Sequence, residues 1–287
     1  MSVQETMISA VGAYPACVNV EGVTIAAFQS EQSLFERIAL EIRKPQQALI
    51  TYVNAHVLNT AFRLPKLKRF LTRADVVYCD GAGIQWAARL AGQWLPRRLP
   101  AADWFLSFFR FMAKERLSIY LLGGEPGIAE KMLALLNAVA PRHSVIGFHH
   151  GYFVNDPAQE RDVIDEINRL KPDLLIVGLG TPIQEFWVDK RRSQIDVGAI
   201  LPLGAVMDYF TGRQPRCPQW MGDAGFEWLY RFSSEPRRLM GRYLIGNPWF
   251  MGRACLQAAP HRLRSIFSAD GHNRPIPFRL FRAEMAR

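Results

Sequence analysis

One feature constrains this chain more than any other: short apolar runs, each closing on a polar or glycine turn, alternate with segments of helical period. The runs are Ala48 to Val53, Asp75 to Cys79, Leu117 to Leu122, Leu174 to Val177 and Val197 to Pro202, with a weaker one at Ser144 to Phe148. Helical patterns fall at Glu31 to Arg43, Ile84 to Ala91, Ile128 to Val139, Ala158 to Leu170 and Gln184 to Arg192. In the first of these, Leu34, Ile38 and Ile42 recur every four residues and mark one buried face. A strand that is apolar throughout must be covered on both faces, and a helix between two strands joins them in parallel. The spacing therefore predicts an α/β fold with a mostly parallel, Rossmann-like sheet flanked by helices. Val18 to Phe28 alternates loosely and reads as a strand or hairpin ahead of it.

After about Arg213 the pattern changes to helical stretches in which aromatic and arginine side chains interleave. The expected organisation is an α/β domain over 1–212, a helical appendage over 213–250 and a basic, mobile tail over 251–287. With 287 residues, 49% of them hydrophobic, the chain can bury a large core, which excludes global disorder. No apolar run reaches the length of a membrane span. The nearest, Tyr243 to Ala259, is broken by Asn247, Pro248 and Arg253. The first residues lack the pattern of a signal peptide. Cys17, Cys79, Cys217 and Cys255 form no C-x-x-C pair, and the histidines are too scattered for a zinc pattern, so reduced packing thiols and no metal are expected. A net charge of +9 points to anionic partners: phosphorylated substrates, acidic lipid or nucleic acid.

Ligands of an open parallel sheet bind at the carboxyl ends of its strands. Here those ends carry Asn54, Asp80-Gly81, Gly123-Gly124, Gly151-Tyr152 and Gly180-Thr181 with Gln184-Glu185. Asp80 suits a general base, and equally a helix cap or turn aspartate. Gly123 and Gly124, ahead of a helix, would let backbone N–H groups approach a phosphate, or simply turn the chain. Gln184 offers both donor and acceptor to a nucleobase or ribose; it also fits a solvated first helical turn. Arg213, Arg216, Arg231, Arg237, Arg238 and Arg242 form a cluster suited to phosphate, to a membrane interface, or to a nucleic-acid surface.

The ordered segments VNAHVLN, ADVVYCDGAGIQWAARLAG, RRLPAADW, LLGGEPGIAEK, HHGYF, PDLLIVGLGTPIQEFW and GAVMDYFTGRQPRCPQWMGDAGFEWLYRFSSEPRRL resemble the WecG/TagA/CpsF family of bacterial glycosyltransferases. The likeness runs from about Ala48 to Tyr243. It implies transfer, inverting and metal-independent, from a UDP-sugar to a polyprenyl-diphosphate-linked saccharide in surface or exopolysaccharide synthesis. No cofactor is implied, and the site is cytoplasmic, peripheral on the inner face of an anionic membrane. By the same resemblance the base falls on Asp80. Substrate contacts fall on Asn54, on Asp103, on Gln184 and on Arg231, Arg237, Arg238 and Arg242. The family's Thr two residues before the Asn is Tyr52 here; Thr51 stands beside it as the candidate contact. The Gly of the family's R-x-x-G-x-D-L is Ala101.

Two other classes bear on the same features. An NAD-dependent oxidoreductase would share the glycine turns, yet no G-x-G-x-x-G precedes an acidic residue at the required distance. A nucleic-acid-binding protein would share the charge, yet no binding motif accompanies it, so no nucleic-acid partner is expected. An oligomer is compatible with the sequence.

Overall fold

The computed structural model describes residues 14–139, 144–154, 156–204, 206–212 and 216–258. An eight-stranded sheet runs through it in the order β1-β2-β4-β3-β8-β7-β5-β6. Its strands are β1 (Cys17–Val20), β2 (Val23–Ala26), β3 (Ala48–Val53), β4 (Val76–Cys79), β5 (Ile119–Gly123), β6 (Val145–His149), β7 (Leu174–Gly178) and β8 (Ala199–Pro202). Only β1 and β2 pair antiparallel. The loose alternation at Val18 to Phe28 is thus a hairpin. Its turn residues Glu21 and Gly22 both have positive φ, the backbone twist that two-residue hairpins favour.

The central strands are buried on both faces, as their continuous apolar runs required. One face is covered by α2 (Ala55–Arg63), α3 (Pro65–Arg73), α4 (Ala82–Leu90), α7 (Pro157–Leu170) and α8 (Ile183–Arg191). The other is covered by α1 (Glu31–Ile42), α5 (Ala101–Lys114), α6 (Ile128–Val139) and α9 (Val206–Phe210). Four of these, α2, α3, α5 and α9, have no counterpart among the segments that periodicity picked out. α5 is amphipathic, with Trp104, Phe105, Phe108, Phe109 and Met112 fully buried and Asp103, Ser107, Arg110 and Lys114 exposed.

The C-terminal region contains α10 (Gln219–Asp223), α11 (Glu227–Ser234), α12 (Pro236–Met240), a π-helical turn (Gly241–Ile245) and α13 (Gly246–Ala258). α13 crosses the expected boundary at residue 250. It packs between α2 and α4, burying Phe250 and Ala254 in the same core as the sheet. Arg213 and the tail beyond residue 258 lie outside the described residues. Among the described residues, no helix is long and apolar enough to cross a membrane.

Candidate active site

Strand register sets the centre of the site. β3 and β4 pair with Val53 opposite Cys79, so the next residues, Asn54 and Asp80, emerge side by side. The Asp80 N–H donates to Val53 O (3.0 Å), which holds the two ends together. Asn54 is the N-cap of α2: its Oδ1 accepts from Val57 N–H at 3.0 Å. That bond fixes the amide's orientation and leaves Nδ2 to donate to Asp80 Oδ2 at 2.9 Å. Gly81 is required by this contact, because a Cβ there would lie 2.9 Å from Asn54 Cβ.

Asp80 forms part of the floor of a cleft of about 230 Å³. Asn54, His56 and Trp86 join it from the sheet side, and Arg98 from the loop before α5. The facing wall comes from the C-terminal region: Phe226, Glu227, Trp228, Arg231, Arg242 and Asn247. Burial raises the Asp80 carboxyl to about 6. The Asn54 amide pulls the other way, Glu227 adds to the rise, and the Ala101 backbone N–H and Arg98 favour the charged form. His56 is pushed down to about 3, first by burial and then by Arg242, Arg231 and Arg63, so the imidazole is neutral. Arg98 Nη1 sits 3.4 Å from Glu227 Oε2, bridging the two walls. Arg231 lies 5.5 Å over the Tyr209 ring and Arg242 5.4 Å over Tyr243. The buried Arg242 Nε has no hydrogen-bond partner among the described residues. Three guanidiniums and two carboxylates therefore line one cleft, a balance that favours an added anion.

Of the residues expected from sequence, the cleft lining brings together Asp80, Asn54, Arg231 and Arg242. The others are elsewhere. Thr51 is fully buried within β3, and its hydroxyl has no hydrogen-bond partner among the described residues. Asp103 is on the exposed first turn of α5, paired with Arg216. Gly123 and Gly124 close the β5 end against β7: a Cβ on Gly123 would lie 2.4 Å from Gly178 O, and one on Gly124 2.7 Å from Ile128 Cγ2. Gln184 is fully buried; its Oε1 accepts from Gly204 N–H (2.9 Å) and its Nε2 donates to Glu185 Oε1 (2.9 Å). Thr181 Oγ1 donates to the same Glu185 oxygen, and burial raises the Glu185 carboxyl to about 7. Arg237 and Arg238 are exposed, with Arg238 bonded to Glu235 at 2.8 Å.

Sequence reasoning did not assign His56, Trp86, Arg98 or Glu227 to the site. Arg98 lies in the quoted RRLPAADW segment, and Glu227 in GFEW, but nothing in their spacing says that one side chain reaches the other. A wider groove of about 580 Å³ lies between α1 and α5, lined by Arg43, Arg110 and Lys114 among others. It takes no residue from the carboxyl edge of the sheet and is not the site. Among the described residues, no group of three or more His, Cys, Asp or Glu is placed to hold a metal ion.

The chain is 28% identical over 191 residues to an N-acetylglucosaminyldiphosphoundecaprenol N-acetyl-beta-D-mannosaminyltransferase of Bacillus spizizenii, covering 67% of this chain and 73% of that protein. It is 27% identical over 203 residues to the enzyme of the same name from Bacillus subtilis, covering 70% and 73%. The Staphylococcus aureus enzyme matches at 27% over 204 residues, covering 70% and 77%. The sequence profile described as "Glycosyl transferase WecG/TagA/CpsF family" matches residues 18–264. With a match over most of its length, and with the motif residues Asn54 and Asp80 bonded at the floor of a cleft, the chain belongs to the WecG/TagA/CpsF family of glycosyltransferases.

Proposed function

We propose that this protein transfers a hexosamine from a UDP-sugar to a saccharide carried on a polyprenyl diphosphate, inverting the donor carbon and needing no metal. The observation that carries the reading is Asp80, bonded to Asn54 beneath Arg231 and Arg242. The acceptor hydroxyl attacks the anomeric carbon as the bond from that carbon to the diphosphate oxygen breaks. Its proton passes to Asp80 and the electron pair to the departing diphosphate. A base whose conjugate acid titrates at about 6 is ionised at neutral pH yet basic enough to accept that proton. Arg231 and Arg242 supply fixed positive charge for the leaving group from the wall of the cleft.

The relatives' names support the acceptor and the hexosamine class, since those enzymes act on N-acetylglucosaminyldiphosphoundecaprenol. The cleft is smaller than the about 300–1,000 Å³ typical of a site enclosing a drug-sized ligand. It suits the reacting sugar and diphosphate, leaving the uridine to lie outside it. Met240, Leu244, Ile245 and Trp249 are exposed along one helical run beside Arg237 and Arg238. Such a face suits peripheral docking on an anionic inner leaflet, where a polyprenyl-linked acceptor resides.

The test is a panel of UDP-hexosamines with undecaprenyl-diphosphate-linked N-acetylglucosamine as acceptor. Asp80→Asn is expected to lower kcat by on the order of 100-fold or more while UDP still raises the melting temperature. Turnover close to that of the unaltered protein would remove Asp80 from the role of base.

A further inference from the structure

We propose that the outer face of α4 is the exit track for the isoprenoid chain of the acceptor. The inference rests on the acceptor chemistry proposed above and adds where its hydrocarbon lies. The polyprenyl chain is esterified to the acceptor's own diphosphate, so once the acceptor sugar enters the cleft to attack, the hydrocarbon must run outward over the rim. Hydrocarbon leaving a polar cleft needs an apolar surface continuous with the mouth.

Trp86 and Phe226 meet that condition. Both line the cleft, yet they stay 42% and 45% exposed, which puts them at its rim. They stand on opposite walls, Trp86 on α4 and Phe226 just ahead of α11. The walls touch there, since a Cβ on Gly225 would lie 3.5 Å from Trp86 Cζ2. From Trp86 the apolar surface continues outward. Leu90 is one helical turn further along the same face and is 46% exposed. Trp94 follows at 62% exposure, with the Arg89 guanidinium 4.8 Å over its ring.

The core does not explain these three side chains, because α4 fills it with Ile84, Ala87 and Ala88 instead. On the solvent face of an amphipathic helix, polar residues are expected, and an apolar row there marks a binding surface. The row is narrow and begins at the rim of the cleft, a shape that fits a linear hydrocarbon rather than the broad patch of a protein partner.

The test measures binding of inorganic, geranyl, farnesyl and geranylgeranyl diphosphate to the full chain by calorimetry. Affinity is expected to rise with chain length. In a Leu90→Ser/Trp94→Ser variant, farnesyl diphosphate should bind about tenfold more weakly, with inorganic diphosphate unchanged. A Leu90→Ile/Trp94→Phe variant should restore the chain-length dependence. Affinity independent of chain length in the unaltered protein would overturn the track. So would a length dependence that survives the serine variant, or an equal loss for inorganic and farnesyl diphosphate. If no diphosphate binds at all, the acceptor reading falls, and the track with it.

Discussion

At the β3–β4 end of the sheet's carboxyl edge, two polar side chains meet across a pair of strands in register, and a second wall of arginines and aromatics stands over them. At the β5–β7 end of the same edge, backbone meets backbone. Gly123 and Gly178 pack so closely that one added carbon would lie 2.4 Å from a carbonyl oxygen, and Gly151 presses on Leu179 and Gly123 in the same way. Both ends are strand–turn–helix connections, and both drew attention in the sequence, one for a general base and the other for a phosphate. The difference shows that a glycine after a strand can mark tight packing as readily as ligand approach. A polar strand end becomes a reactive site when another part of the chain delivers charge opposite it.

Three substitutions probe that contrast. The largest effect is expected from Gly123→Ala, where a φ of +147° and the β7 backbone both oppose a side chain. A loss of about 2–4 kcal/mol, and of roughly 5–10 °C in Tm, should appear in thermal unfolding, with kcat per folded molecule little changed. A variant that melts normally but no longer binds UDP would instead make this end a phosphate cradle and erase the contrast.

Asn54→Ala, at the other end, should cost about 1 kcal/mol of stability through the lost helix cap. It also removes the hydrogen bond that favours ionised Asp80, so the carboxyl should titrate above about 6. Activity depends on the ionised base and is lost as pH falls through its pKa. The acid limb of the kcat/KM profile should therefore move to higher pH. A limb that does not move would show that the amide only caps the helix.

The smallest effect is expected from Glu227→Gln. Glu227 raises the Asp80 pKa, so its neutralisation should shift the same limb to lower pH by a fraction of a unit. A shift to higher pH would mean that Arg98, freed from its ion pair, swings away from Asp80 and that this loss outweighs the removed charge.

Much of the fold was legible because burial on both faces forces continuous apolar strands, and those runs lie within two residues of the observed strands. The candidate site was legible only in part. Asp75 and Asp80 flank the same strand and look alike in sequence. Asp75 accepts a hydrogen bond from Leu49 N–H at 2.7 Å and ties two strands together, whereas Asp80 looks into the cleft. Gln184 and Glu185 read as a solvated first turn or a nucleobase contact, and they form a buried clamp on Gly204 instead. The hydrophobic period could not report this, because it records which face is apolar and not what a buried polar group bonds to.

The sequence alone determined the alternating α/β order, the carboxyl edge where ligands would gather and the family likeness, because each of these is written in residues close together in the chain. Only the tertiary structure decided that Arg231, Arg242 and Glu227 face Asp80, more than 140 positions earlier in the sequence. It also decided which strand end opens into a cleft and which closes on itself. Those outcomes depend on strand register and on α13 inserting between α2 and α4, and long-range packing of that kind leaves no periodic trace in the chain.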